Sequence, residues 1–312
     1  MEEINEEDES LKVLFNVGNC EDSINQKSIS YDSASLAMYK SIERLERLYR
    51  TSDVETEPIL GFDYEDFQQG SLIVVSSRPA IGKTAFILSL LKKLSIESNI
   101  PTGLILPGTM DYYSLGNRLI SMMSNIPLTK INCCRLTTDE VTKIQEVAED
   151  IYHKPFLVIN EPNCSLDFLL SSAKLLVKEQ KIKILVIDDI EYLEDIVDSN
   201  EKEYRLVLNK LLDEIKKLSE EINIPIVLTL TIPFRDDNNE PTIQDFKKYL
   251  AIPKKADKVM FIHRERTLDP DNNVEPAKII IAKNELGRTK DLFLTFYKNT
   301  ICFTDSENLI NG

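Results

Sequence analysis

The sequence predicts an α/β fold, a mostly parallel sheet flanked by helices and continued by a β-rich antiparallel C-terminal extension. Three observations carry this. Short apolar runs rich in β-branched residues alternate with amphipathic stretches after Gly70. The runs are nearly continuous, as strands buried on both faces are. In the last third, further runs are separated by turn-rich segments with no long helix between them.

In chain order, residues 1–30 form an acidic, polar tail broken only by the apolar stretch Leu11 to Val17. Residues 31–60 hold one helix and a linker. Met38, Ile42, Leu45 and Tyr49 recur at helical spacing over 33–49, with Glu43 and Arg47 as an i,i+4 pair, and Pro58 disfavours further helix. Standing alone, this helix must bury its stripe on a partner subunit or on its own core domain. The core spans 61–306, and 307–312 is a short tail. Its strands are LIVVS (72–76), TGLIL (102–106), FLVIN (156–160), IKILVID (182–188) and IPIVLTL (224–230). Helices lie between them at 83–97, 138–152, 165–179 and 203–222, with Thr137 and Glu140 spaced as a capping box. DKVMFIH (257–263), AKIIIAK (277–283) and DLFLTFY (291–297) make the antiparallel extension.

A length of 312 residues allows two small domains or one large α/β domain with an appendage. Lys and Arg number 37 against 52 Asp and Glu, a net charge of −15, so the chain is a poor generic ligand for nucleic acid. An apolar content of 42% excludes a disordered chain, and no apolar run is long enough to span a membrane. The opening MEEINEEDES is unlike a secretory signal, which places the expected site of action in the cytoplasm. Five cysteines without a CxxC pair and only two histidines argue against structural zinc, and the thiols are expected to be reduced and buried.

The strand LIVVS runs into SRPAIGKT and then the helical AFILSLLKKL. This is the phosphate-loop spacing G-x-x-x-x-G-K-S/T with Ser77 at the first glycine position. Gly82 lets the backbone approach phosphates, successive amides and the helix N-terminus cradle them, Lys83 reaches the terminal phosphates, and Thr84 ligates Mg²⁺. A strand before and a helix after distinguish this from a chance match in a surface turn. The run ending at Asp188 supplies the carboxylate such a site needs for magnesium, with Asp189 next to it. Strand-end acids also serve as helix caps, so Asp188 gains its meaning from the loop upstream.

Over about residues 33–304 the chain resembles the C-terminal motor domain of the DnaB-like bacterial replicative helicases, the hexameric branch of RecA-type P-loop NTPases. SRPAIGKTAF is similar to that family's loop, where Arg78 and Pro79 have counterparts and the first glycine is often missing. ILVIDDIEYLE, IPIVLTL, ADKVMFIHR and KIIIAKNELG follow in the family's order. The resemblance implies a RecA-like fold, ATP and Mg²⁺ as ligands, and a 33–49 helix that docks on a neighbouring subunit or on a helicase ring. The family's primase-binding N-terminal domain has no counterpart in these residues.

Three departures accompany the match. Where the family carries a glutamate that polarises the attacking water, this chain has Thr109, which cannot accept a proton at neutral pH. Where the family reads Lys-x-Arg-x-Gly, this chain reads Lys283-Asn284-Glu285-Leu286-Gly287, so Glu285 reverses the charge of the arginine finger. Thr231 stands at the phosphate-sensing glutamine. The two presumed DNA loops, EDIVDSNEKEYR and FRDDNNEPTIQDFKKYL, are acidic and mixed.

Two readings stay open. One is a catalytically impaired relative that binds ATP and Mg²⁺ through Ser77, Arg78, Pro79, Gly82, Lys83, Thr84 and Asp188 and acts as a scaffold or regulator of bacterial, mobile-element or phage replication. The other is a divergent DNA-dependent ATPase with Asp189 as base, Asp111 as a second choice, and Arg288 in the finger's place. A RecA-like fold that binds no nucleotide is the bland alternative.

Overall fold

The structure, a computed structural model, describes residues 60–306 except 63–65, 200–202, 234–238, 249, 250, 266–268, 270, 271 and 286. The acidic tail, the 33–49 helix, the 307–312 tail and parts of both presumed DNA loops lie outside the described residues.

Among the described residues, nine strands form a single sheet in the order β3, β2, β4, β5, β1, β6, β7, β8, β9. The first six in that row, β1 (Leu72–Ser77), β2 (Thr102–Leu106), β3 (Phe156–Asn160), β4 (Ile184–Ile187), β5 (Ile226–Thr231) and β6 (Lys258–Arg264), are parallel. β7 (Val274–Asn284), β8 (Asp291–Tyr297) and β9 (Cys302–Asp305) add to it antiparallel, as the sequence pattern anticipates. β9 is too short to have been visible as a run.

Strand alternation explains the continuous apolar runs. In β1, Ile73 and Val75 join the core on one face of the sheet, and Leu72 and Val74 join the core on the other. The first face is covered by α1 (Lys83–Leu91), which continues as a π-helical stretch Lys92–Glu97, and by α2 (Tyr112–Ser124) through Leu115, Leu119 and Met122. The widened turn closes where Ser98 N donates to Lys93 O. α3 (Leu128–Asn132) and α4 (Thr138–Tyr152) follow, and α4 starts on the expected capping box, with Thr137 and Glu140 bonding each other's backbone amides. The other face packs against α5 (Leu166–Gln180) and α7 (Tyr204–Ile222), the latter through Leu208, Leu211, Leu212, Ile215 and Leu218. The single-turn α6 (Glu194–Val197) lies between them in the chain, and α8 (Ala251–Lys255) follows after β5.

The cysteines need one correction. Cys164 and Cys302 are buried free thiols, and burial pushes Cys164 up to about 11, but Cys133 and Cys134 are exposed. They follow the short α3, which has too few residues to cover them. No helix among the described residues is long and apolar enough to cross a membrane.

Candidate nucleotide site

β1 ends at Ser77, wedged between Thr231 of β5 and Ile262 of β6. The loop that follows turns through left-handed backbone at Ala80 (φ 59°) and Gly82 (φ 114°) and enters α1 at Lys83. Ser77 is absent from the positive-φ positions, so a side chain costs nothing there, and its hydroxyl donates to Arg78 O at 2.9 Å. Gly82 is different: a Cβ at this position would lie 3.3 Å from the Phe303 ring of β9 as well as occupy a backbone region hostile to side chains.

The loop is braced from the antiparallel extension. Arg264, at the end of β6, donates to Ala80 O at 3.3 Å, pairs with the buried Glu275 at 2.7 Å, and lies 3.9 Å over the Phe296 ring. Glu275 is 2% exposed, so this pair fixes the guanidinium against the loop.

Three strand ends deliver the polar groups. Asp188 follows β4, where its amide bonds Ile105 O of β2, and the carboxylate is satisfied on both oxygens: Thr84 donates to Oδ2 at 2.7 Å and Thr229 to Oδ1 at 2.6 Å. Burial pushes Asp188 up to about 6, with the neighbouring Asp189 adding to the shift. Arg118, half-buried on α2, feels the Asp188 carboxylate, though burial lowers its own proton affinity. Lys83 donates to Thr231 Oγ1 at 2.7 Å and forms an ion pair with Asp189 Oδ1 at 3.0 Å. Asp189 itself sits in left-handed backbone (φ 60°), held by the bond from its amide to Thr229.

The structure thus brings Ser77, Arg78, Pro79, Gly82, Lys83, Thr84, Asp188, Asp189 and Thr231 to one end of the sheet. Thr109 is exposed in the β2–α2 loop at the same end; a Cβ on its neighbour Gly108 would lie 3.8 Å from Asp189 Cβ. Asn160 pins this loop by donating to Met110 O at 2.9 Å. Asp111 is used otherwise: it caps α2, accepting from Ser114 N at 2.7 Å. Lys283 and Glu285 are not brought to the site. β7 is antiparallel, so Lys283 pairs with Val259 while the loop springs from Ser77 beside Ile262, about 10 Å further along β6. There Lys283 pairs with Glu285 at 2.6 Å and also donates to Ala256 O. Arg288 belongs to the same turn, where Asn284 Nδ2 donates to its carbonyl at 3.1 Å.

Sequence reasoning missed Glu191. It lies in the 3₁₀ turn Ile190–Tyr192 after Asp189, and its Oε1 accepts from Thr231 N. The signal was in ILVIDDIEYLE, one turn beyond the acids already singled out. Thr229 was missed too, because a threonine inside an apolar run reads as strand.

The residues fit a phosphate and a hard cation. Gly82 holds the loop in a left-handed backbone conformation that brings the chain close to a phosphate without a side chain, and Thr84 and Asp188 present paired oxygens suited to Mg²⁺. Among the described residues no group of three or more His, Cys, Asp or Glu is placed to hold a metal, so a magnesium ion here would keep several waters and depend on substrate oxygens.

The mixed sheet with helices on both faces, and a loop of phosphate-binding spacing leaving the carboxyl end of β1 with β5 between β1 and β4, gives the domain a RecA-like fold. Residues 62–305 match the DnaB-like helicase C-terminal domain, and the chain belongs to that family. It is 30% identical over 231 residues to the replicative DNA helicase DnaB of Treponema pallidum, covering 74% of this chain and 50% of that protein. It is 27% identical to a probable plasmid replicative DNA helicase of Chlamydia psittaci, covering 76% and 52%. The chain therefore spans about half the length of these curated relatives. In fold it is similar to a solved ATPase domain, with a TM-score of 0.73, 20% identity, and 89% of this chain and 100% of that one covered. A DnaB-like replicative helicase whose interactions with primase were studied gives a TM-score of 0.72 at 20% identity, covering 89% and 68%.

Proposed function

We propose that this domain binds Mg²⁺ and ATP at the β1 loop and hydrolyses ATP slowly, serving nucleotide-dependent assembly in replication of a bacterial, plasmid or phage genome. The observation that carries the reading is the hydrogen bond from Thr84 to Asp188 at the start of α1, beside Lys83, which is held at the same strand ends by Thr231 and Asp189. Lys83 would meet the terminal phosphates, the loop amides and the α1 N-terminus the others, and Thr84 and Asp188 the magnesium with its waters. When bound, the ion neutralises phosphate charge; the protein's part is to orient the phosphates and shield them.

The slow rate follows from the far edge of the domain. Lys283 and Glu285 cannot reach their own phosphate loop, so they act only on a neighbouring copy, and their mutual ion pair ties up the lysine there. Assembly with itself or with a helicase ring through the 33–49 helix fits the same reading. The relatives' names, replicative and plasmid replicative helicases, support the biological setting.

The test is titration of a fluorescent ATP analogue with and without Mg²⁺, alongside ATP hydrolysis with and without single-stranded DNA and light scattering. Lys83→Ala should abolish binding. Hydrolysis at a working helicase's rate, stimulated by DNA, would favour instead a divergent translocating motor, a reading supported by the family membership and the intact lysine.

A further inference from the structure

Of the three acids beyond β4, two are already committed. Asp188 receives hydrogen bonds on both oxygens. Asp189 Oδ1 holds Lys83 at 3.0 Å. Glu191 is only half committed: Oε1 accepts from Thr231 N, while Oε2 is buried with neither a hydrogen bond nor an ion pair among the described residues. A buried carboxylate oxygen left without a partner costs stability, and such a cost persists where function uses the group.

Its position gives that use. Thr231, which Glu191 holds by the amide, accepts from Lys83 by its hydroxyl at 2.7 Å. Lys83 must leave Thr231 and Asp189 to reach a phosphate, and Glu191 lies close enough to Lys83 and Asp189 for both charges to act on its carboxylate. Thr109, at the position where the family resemblance places a glutamate, offers no proton acceptor, and the β2–α2 loop is pinned by Asn160. We propose that Glu191 is the general base of this domain, taking the proton of the attacking water. In that step the water oxygen bonds to the terminal phosphorus and its proton passes to Glu191 Oε2. The bond from that phosphorus to the bridging oxygen breaks, and the electron pair leaves on ADP.

The chemistry of the carboxylate agrees. Burial raises its proton affinity above the ordinary glutamate value, offset by the Thr231 amide and by Lys83, while Asp189 raises it again. Lys83 from α1 and Asp189 from the β4 end are the charged groups facing it. A base so tuned holds a proton more readily than an exposed glutamate does.

The assignment rests on ATP being the ligand, and the experiment separates the two. Glu191→Gln keeps the size of the side chain and an oxygen for Thr231 N. It should leave the dissociation constant for a fluorescent ATP analogue with Mg²⁺ within about twofold and lower the turnover number by about 10²- to 10⁴-fold. The acidic limb of the pH profile of turnover should vanish with it, and Glu191→Asp should recover part of both. Turnover at the wild-type rate with an unchanged acidic limb overturns the proposal. So does a wild-type domain that binds the analogue yet hydrolyses nothing, or an acidic limb that follows Asp189→Asn instead. Failure of the wild-type domain to bind the analogue would overturn the ATP reading itself.

Discussion

Lys83 Nζ lies 3.0 Å from Asp189 Oδ1, and the two side chains are only 10% and 28% exposed. The cation that a phosphate would need is therefore engaged by an anion from the end of β4 before any ligand arrives. Asp189 accepts left-handed backbone to make this pair.

Removing that competitor should tighten binding. Asp189→Asn is expected to lower the dissociation constant for Mg·ATP by about three- to tenfold, since one carboxylate no longer competes for Lys83 or repels the terminal phosphate. Fluorescent-nucleotide titration reads this, and a weaker affinity would mean that Asp189 instead holds Lys83 in its productive place.

Gly82→Ala should destabilise the domain by about 1–3 kcal/mol and weaken phosphate binding, because the added carbon meets Phe303 at 3.3 Å in a backbone region only glycine accepts readily. Thermal melting with and without nucleotide checks both effects. Ser77→Gly, at a residue without positive φ, should gain nothing in binding.

The Arg264 and Glu275 pair should behave as a buried ion pair. Glu275→Gln leaves a guanidinium at 8% exposure without its counter-charge and is expected to cost about 3–5 kcal/mol. A double change of Arg264→Met with Glu275→Leu should cost much less in chemical denaturation, while still loosening the loop that Arg264 braces at Ala80.

Asp188 makes stability depend on pH. Its folded value is pushed up to about 6 from an ordinary carboxylate's, chiefly by burial, so the folded state binds the proton more tightly than the unfolded chain. Below the ordinary carboxylate range both states are protonated and Asp188 costs nothing by this route. As pH rises through that range to about 6, the ionised group is increasingly disfavoured in the fold, and above 6 the penalty is complete. Nucleotide-free Asp188→Asn should therefore be more stable than wild type at pH 7, by on the order of 2 kcal/mol, and the difference should shrink toward about pH 5. Thermal melting at the two pH values reads this, and an Asn variant equal to wild type at both would contradict it.

Glu285→Arg breaks the pair that holds Lys283 and restores the charge pattern of a finger. In assembled protein it should raise ATP turnover by about tenfold or more, a modest part of the roughly 10³ to 10⁵ a finger supplies. An unchanged rate would show that the finger position does not limit turnover.

The sheet was legible because its parallel strands are buried on both faces, which writes an unbroken apolar run such as Leu72 to Ser76 into the chain. α2 escaped notice: Leu115, Leu119 and Met122 are interspersed with Gly116, Asn117, Arg118 and Ser121, and the helix is recognised by the Asp111 cap and the core it meets. At the site, the loop spacing and Asp188 were readable because they are local in sequence. Glu191, Arg264 and Phe303 were not, since their roles come from hydrogen bonds and ring contacts between segments far apart in the chain. Nor does sequence show that Asp189 and Lys83 pair, because that depends on the left-handed turn at Asp189.

The packing of Phe303 against Gly82 has a consequence for how the protein is made. The phosphate loop leaves the ribosome early, yet the ring that closes over it, together with its partners Phe86 and Phe296, is complete only after β9 has been translated, near the end of the domain. Nascent chains short of β9 would expose this apolar ring site and hold phosphate poorly. On the proposed reading, nucleotide binding would therefore await the translation of β9.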